Sequence, residues 1–231
     1  MATFVLVPGG WHGGWYFQPL TRQLRQHGHE VYPLTLTGLG ERSHLLTASV
    51  NLDTHIEDVV RVLENEQIED AVLCGHSYGG MVISGVADRV RERIAALVYC
   101  DAYVPEDGDS CWSLAGEAFR QLFADGAGAD GYSVARPSAL DQRATAHPLG
   151  SFLQKIRLTG AWATVRRRAF VYLSGWEGTP FRPVYERLRH DPAWNVHTLP
   201  VGHDIMGEAP DALLEILLGA GEHVFGQVRQ D

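Results

Sequence analysis

Six short runs dominated by Val, Leu, Phe and Tyr recur along the chain: TFVLV from residue 3, EVYPLTL from 30, AVLC from 71, AALVYC from 95, AFVYL from 169 and NVHTL from 195. Runs this apolar read as strands buried from both sides. Between them, residues 17–28 carry helical apolar spacing up to Gly28, and 52–66, 78–90 and 209–221 repeat that spacing. Strand alternating with helix demands right-handed crossovers and a parallel sheet covered on both faces. The expected class is α/β, a doubly wound, mostly parallel six-stranded sheet. With 231 residues the chain can close one core and is short for two ordinary domains, so one domain over 1–231 is expected.

One stretch breaks the alternation. Residues 104 to about 162 contain Pro105, Gly108, Gly126, Gly128, Gly131, Pro137 and Pro148, together with helical spacing in Leu114, Ala118, Phe119, Leu122 and Phe123. It is too long for a plain connection and reads as an inserted helical cap over the strand ends. In parallel sheets ligands bind beyond the carboxyl ends of the strands, so the loops that follow strands are where chemistry is sought.

Composition removes several function classes. The formal net charge of -9 opposes a phosphate backbone, so no nucleic-acid partner is expected. The one basic run, Arg166 to Arg168, reads as a solvated helix end or turn. No apolar run approaches a membrane span, and the start of the chain shows neither a basic leader nor a small-residue cleavage site. Three cysteines without a C-x-x-C pair fit a reducing compartment, and cytoplasm is the expected location.

The residues Gly75-His76-Ser77-Tyr78-Gly79 fit G-x-S-x-G and stand between a buried strand and a helix. In that setting the serine occupies a strained turn, its hydroxyl lifted above the sheet and the amide of Tyr78 at a helix start that favours developing negative charge. The bland alternative is a tight turn with a helix-capping serine. A hydroxyl needs a base, and His203, in LPVGHDIM after the sixth strand, lies where the order serine, acid, histidine requires one. Two acids could orient its imidazole: Glu177 after the fifth strand and Asp101 at the end of the fourth. Glu177 is favoured because its loop fits that order, which leaves Asp101 as a supporting group near the cap hinge. Asp204 adjoins His203 and diverges from it in an extended segment.

A second oxyanion amide is expected from VPGGWHGGW at 7–15, on the loop leaving the first strand. Its glycines do not give G-x-G-x-x-G, which argues against a dinucleotide loop. His27 and His29 lack the further ligands a metal site needs, so neither cofactor nor metal is expected.

With VPGGWHGGW, GHSYGG, DAYVPEDG and VGHDIM in this order, the chain resembles the α/β-hydrolase superfamily, and within it the small esterases related to plant methylesterases and hydroxynitrile lyases. The resemblance implies oxyanion amides at Gly10 and Tyr78 and a triad of Ser77, Glu177 and His203, although family members commonly carry Asp where Glu177 stands. The lyases use a threonine at the position of Gly10 and a lysine directly after the histidine, where this chain has Asp204, so cyanohydrin cleavage is disfavoured. The expected activity is cofactor-free hydrolysis of a small-molecule ester or lactone through an acyl-enzyme on Ser77. A lyase or ring-closing enzyme, and a receptor without turnover, are the alternatives. Trp11, Tyr78, Trp112, Phe119, Phe123 and Tyr132 would line an aromatic chamber, or simply pack the cap. A homodimer is compatible with the sequence.

Overall fold

The computed structural model describes residues 1–225. In chain order, β1 (Thr3–Val7), α1 (Gln18–Gln26), β2 (Glu30–Pro33), α2 (Leu52–Asn65), β3 (Ala71–His76), α3 (Gly79–Arg89) and β4 (Ile94–Cys100) come first. Between β4 and the next long strand stand α4 (Cys111–Leu114), α5 (Glu117–Asp125), the short strands β5 (Ser133–Val134) and β6 (His147–Pro148), and α6 (Leu149–Leu153). The chain then runs through β7 (Arg167–Leu173), α7 (Arg182–Leu188), β8 (Asn195–Leu199), α8 (Ile205–Glu208) and α9 (Pro210–Phe225).

The six long strands form one sheet in the order β2-β1-β3-β4-β7-β8, every pair parallel. Alternate residues of each strand feed different cores, as a pleat buried on both faces requires. Phe4, Leu6, Val72, Cys74, Val98 and Val171 pack on the side of α1 and α9. Val5, Val7, Leu73, Leu97, Tyr99 and Phe170 pack on the side of α2, α3 and the segment between β4 and β7. That double burial is why the strands read as continuous apolar runs. The chain order and the crossovers bring the carboxyl ends of β1, β3, β4, β7 and β8 to one edge, where every candidate residue lies.

Local signals explain the helix limits. α1 begins with Pro19 in its first turn and stops before Gly28, whose φ of 80° is left-handed. α2 starts at a reciprocal capping box, in which the Asn51 side chain accepts from the Thr54 amide and the Thr54 side chain from the Asn51 amide. Two expectations need correction. Arg167 and Arg168 lie in β7 rather than in a turn, and the Arg168 guanidinium stands 5.1 Å from the Trp194 ring centre, stacked rather than simply solvated. The β5–β6 hairpin, whose two-residue strands carry no periodicity, and the seven-residue α7 had no counterpart in the sequence reading.

Candidate active site

Ser77 follows the last residue of β3 and takes φ 54°, the left-handed region that costs a residue with a Cβ about 1–2 kcal/mol. The surroundings hold it there: the Ser77 amide donates to the Cys100 carbonyl at 3.2 Å, and the Tyr103 amide donates to the Ser77 carbonyl at 3.3 Å. The turn folds so tightly that a Cβ on Gly75 would meet the Gly79 carbonyl oxygen at 2.6 Å, and one on Gly79 would collide with the Val7 carbonyl oxygen. The glycines flanking the serine are therefore a steric requirement of strand and helix meeting here.

His203 lies in the loop between β8 and α8, half-buried. Its Nδ1 is 2.7 Å from Oδ2 of Asp101, which is completely buried at the end of β4. The other Asp101 oxygen accepts from the Leu173 amide of β7 at 3.3 Å. A carboxylate only accepts, so the imidazole carries its proton on Nδ1 and leaves Nε2 as the basic nitrogen. The carboxylate on the imidazole is thus Asp101, and the expectation of Glu177 is overturned: Glu177 is exposed and makes no hydrogen bond among the described residues. Asp101 reaches the ring because its φ of 43° turns the chain away from β4 after that strand has paired with β7. Asp204 caps α8 instead, accepting from the Gly207 amide at 3.2 Å.

His76 joins the two loops. Its Nε2 donates to the His203 carbonyl at 3.0 Å, and its ring lies 4.5 Å from that of His203. Burial drives the His76 pKa well below the usual histidine range, with the neighbouring His203 adding to the effect. Ser77 and His203 are consequently brought to one edge of the sheet through adjacent residues, while the Ser77 hydroxyl makes no hydrogen bond among the described residues.

The loop after β1 approaches the same point. No described residue accepts from the N–H of Gly10 or of Tyr78. A Cβ on Gly9 would stand 2.9 Å from the Ser77 Cβ, so the loop passes directly beside the serine. Two unpaired N–H groups flanking a hydroxyl suit an oxygen that gains negative charge.

The aromatic residues divide. Trp11, Tyr78 and Phe123 are packed rather than open, with Phe123 stacked 4.3 Å from Phe152 and Trp11 5.4 Å from it. The Tyr78 hydroxyl is 2.8 Å from Nδ1 of His55, and burial pushes its pKa well up. Trp112, Phe119 and Tyr132 are half-buried. Trp176 and Phe181, which the sequence reading missed, flank the imidazole at 4.3 Å and 5.7 Å between ring centres. A cleft of about 560 Å³ opens on His203, lined among others by His12, Trp15, Tyr16, Leu140 and Arg143. A second cavity, of about 490 Å³, lies between α9 and the strands β4 and β7 and touches none of these residues. Among the described residues no cluster could hold a metal ion, and no helix is long and apolar enough to cross a membrane.

Comparison with known proteins gives the same assignment of fold. The profile of the alpha/beta hydrolase family matches residues 4–216. The carbendazim hydrolyzing esterase of Nocardioides sp. is 39% identical over 96% of this chain and 100% of its own. Methylesterase 10 of Arabidopsis thaliana is 30% identical, over 52% of this chain and 44% of its own. An extracellular alpha/beta-hydrolase from a Paenibacillus species superposes with a TM-score of 0.82 at 22% identity, covering 96% of this chain and 99% of that one.

Proposed function

The chain belongs to the alpha/beta hydrolase family, and from that premise we propose that it is a serine carboxylic ester hydrolase with Ser77 as nucleophile, His203 as base and Asp101 as the carboxylate that orients the base. The observation that carries this reading is the 2.7 Å bond between Asp101 and the imidazole, on the same edge as a serine in a left-handed turn. Nε2 of His203 takes the Ser77 proton as Oγ attacks the ester carbonyl. The oxygen that becomes negative is met by the amides of Gly10 and Tyr78. Collapse of the tetrahedral species breaks the C–O bond, the imidazolium returns its proton to the departing alcohol, and the acyl group stays on Ser77. Water, deprotonated by the same imidazole, releases the acid and restores the serine. The Ser77 hydroxyl, unpaired among the described residues, forms its bond to Nε2 as an ester fills the site, catalytic hydrogen bonds being completed in the substrate complex.

The substrate class is a hydrophobic or aromatic small-molecule ester or lactone. Trp176 and Phe181 give the imidazole apolar walls, and the segment between β4 and β7 acts as a cap whose Trp112 and Phe119 lie on the same side. A relative named for hydrolysing carbendazim and another named a methylesterase agree with hydrolysis of small molecules. No cofactor enters any step. A cyanohydrin lyase is disfavoured because Gly10 offers no hydroxyl and Asp204, engaged at the start of α8, stands where such lyases carry a lysine.

Turnover of a chromogenic short-chain ester by the parent and by Ser77→Ala tests the reading. A loss of about 10⁴-fold or more in kcat is expected. Equal rates would remove Ser77 from the chemistry.

A further inference from the structure

The peptide unit joining Gly10 to Trp11 is gripped from both ends by histidines. Its carbonyl, on Gly10, lies 2.7 Å from Nδ1 of His12, and its N–H, on Trp11, donates to Nδ1 of His147 at 3.0 Å. A carbonyl only accepts and an amide only donates, so His12 carries its proton on Nδ1 and His147 does not. The second nitrogen of His147 then bears the proton, donated at 2.8 Å to the Ser151 hydroxyl, which donates in turn to the Pro148 carbonyl at 2.8 Å. Every member of this chain has one assignable role, so the His147 tautomer is fixed. His147 is fully buried, stacked 4.0 Å from Phe152.

Trp11 itself is held in a conformation an L side chain rarely adopts, φ 65°. Two further bonds to the same distant segment keep it there: its carbonyl accepts from the Thr145 amide at 3.0 Å, and its indole N–H donates to the Val134 carbonyl at 3.2 Å. Three bonds thus staple one strained residue to the β5–β6 hairpin and its approach. Strain of this kind persists only where the surroundings over-determine it. The peptide plane they fix adjoins the Gly10 amide, which no described residue takes up.

We infer that His147 is a positioning residue for the oxyanion hole: by accepting from the Trp11 amide against the opposing His12 bond, it fixes the Gly10–Trp11 peptide plane and so restrains, through the Gly10 Cα, the adjoining Gly9–Gly10 plane that carries the Gly10 N–H beside Ser77. Through it, the segment between β4 and β7 controls whether the site is assembled. This role presupposes Gly10 as an oxyanion donor, as in the function proposed above.

Replacing His147 by Phe keeps a stackable ring and removes the acceptor, whereas Asn places an amide oxygen near the position of Nδ1. Steady-state kinetics on a chromogenic ester, with the inhibition constant of a trifluoromethyl ketone that adds to Ser77, read the effect. His147→Phe should lower kcat about 10- to 100-fold with KM within threefold, short of the loss for deleting a donor outright. The ketone should weaken in proportion to kcat/KM, because its bound form places an oxyanion in the same hole. His147→Asn should return both to within about threefold of the parent. If His147→Phe does not fold, Ser151→Ala, which leaves the buried Nε2 proton without its acceptor and loosens the ring that takes the Trp11 amide, should still lower kcat threefold or more. Parent-like kcat in His147→Phe, or in Ser151→Ala where the Phe variant does not fold, or a loss that Asn does not restore, overturns the inference. A parent that hydrolyses esters equally well with Ser77→Ala would instead overturn the proposed function.

Discussion

Converting Asp101 to Asn separates the buried carboxylate from every other acid near the site. Asn keeps the size of the side chain and the oxygen that accepts from Leu173 at 3.3 Å. That bond holds the amide oxygen toward Leu173, so the amide nitrogen replaces Oδ2 opposite His203 Nδ1, 2.7 Å away in the parent. An NH₂ facing Nδ1 can only donate to it, which forces the imidazole proton onto Nε2 and removes the base from Ser77. The same inversion in a Ser-His-Asp protease costs about 10⁴ in kcat. Here the expected loss is about 10³- to 10⁴-fold, equivalent to about 4–5.5 kcal/mol of transition-state stabilisation. Glu177→Gln alters an exposed side chain and should leave kcat/KM within about twofold. Both variants are assayed on the same chromogenic ester from pH 6 to 9, with thermal unfolding as a check of folding. Activity of Asp101→Asn within tenfold of the parent, or crippling by Glu177→Gln, would refute the reasoning.

Burial takes the His55 pKa from 6.5 to about 4 and lowers those of His76 and His147 well below the usual range. Between 6.5 and 4 the unfolded chain binds protons that the folded chain refuses, so stability is full above pH 6.5 and declines below it. The loss is about 2 kcal/mol at pH 5 for His55 alone; urea midpoints at pH 7 and 5 measure it, and equal midpoints would contradict it. Gly79→Ala drives a methyl group into the Val7 carbonyl and should destabilise by about 3 kcal/mol or prevent folding, read by the same titration. Asp204→Ala removes the cap of α8 and should lower stability by about 1 kcal/mol while kcat falls less than tenfold. A larger drop in turnover would give Asp204 a part in the chemistry.

Much of the molecule was written locally. The runs that became β1, β3, β4 and β7 are apolar on both faces because both faces are covered, and that pattern needs no partner to be read, whereas β8, at the edge of the sheet, has no fully buried residue. Gly75, Ser77 and Gly79 announce their turn in five residues, since the collision they avoid is between atoms a few residues apart or on the adjoining strand. His203 followed from its place after the last strand. Sequence alone therefore determined the fold class, the serine on its turn and the histidine at the sheet edge.

The acid was decided elsewhere. Chain order admits both Glu177 and Asp101, because both lie between Ser77 and His203. Which one meets the imidazole depends on the pairing of β4 with β7 and on a single left-handed φ at Asp101. The grip of His12 and His147 on one peptide plane was equally invisible, joining residues 11 and 147 across a hairpin too short to leave a pattern. Periodicity and motif record what neighbours along the chain demand of one another. The direction of a side chain across a sheet edge is set by contacts between segments a hundred residues apart, and those exist only once the chain has folded.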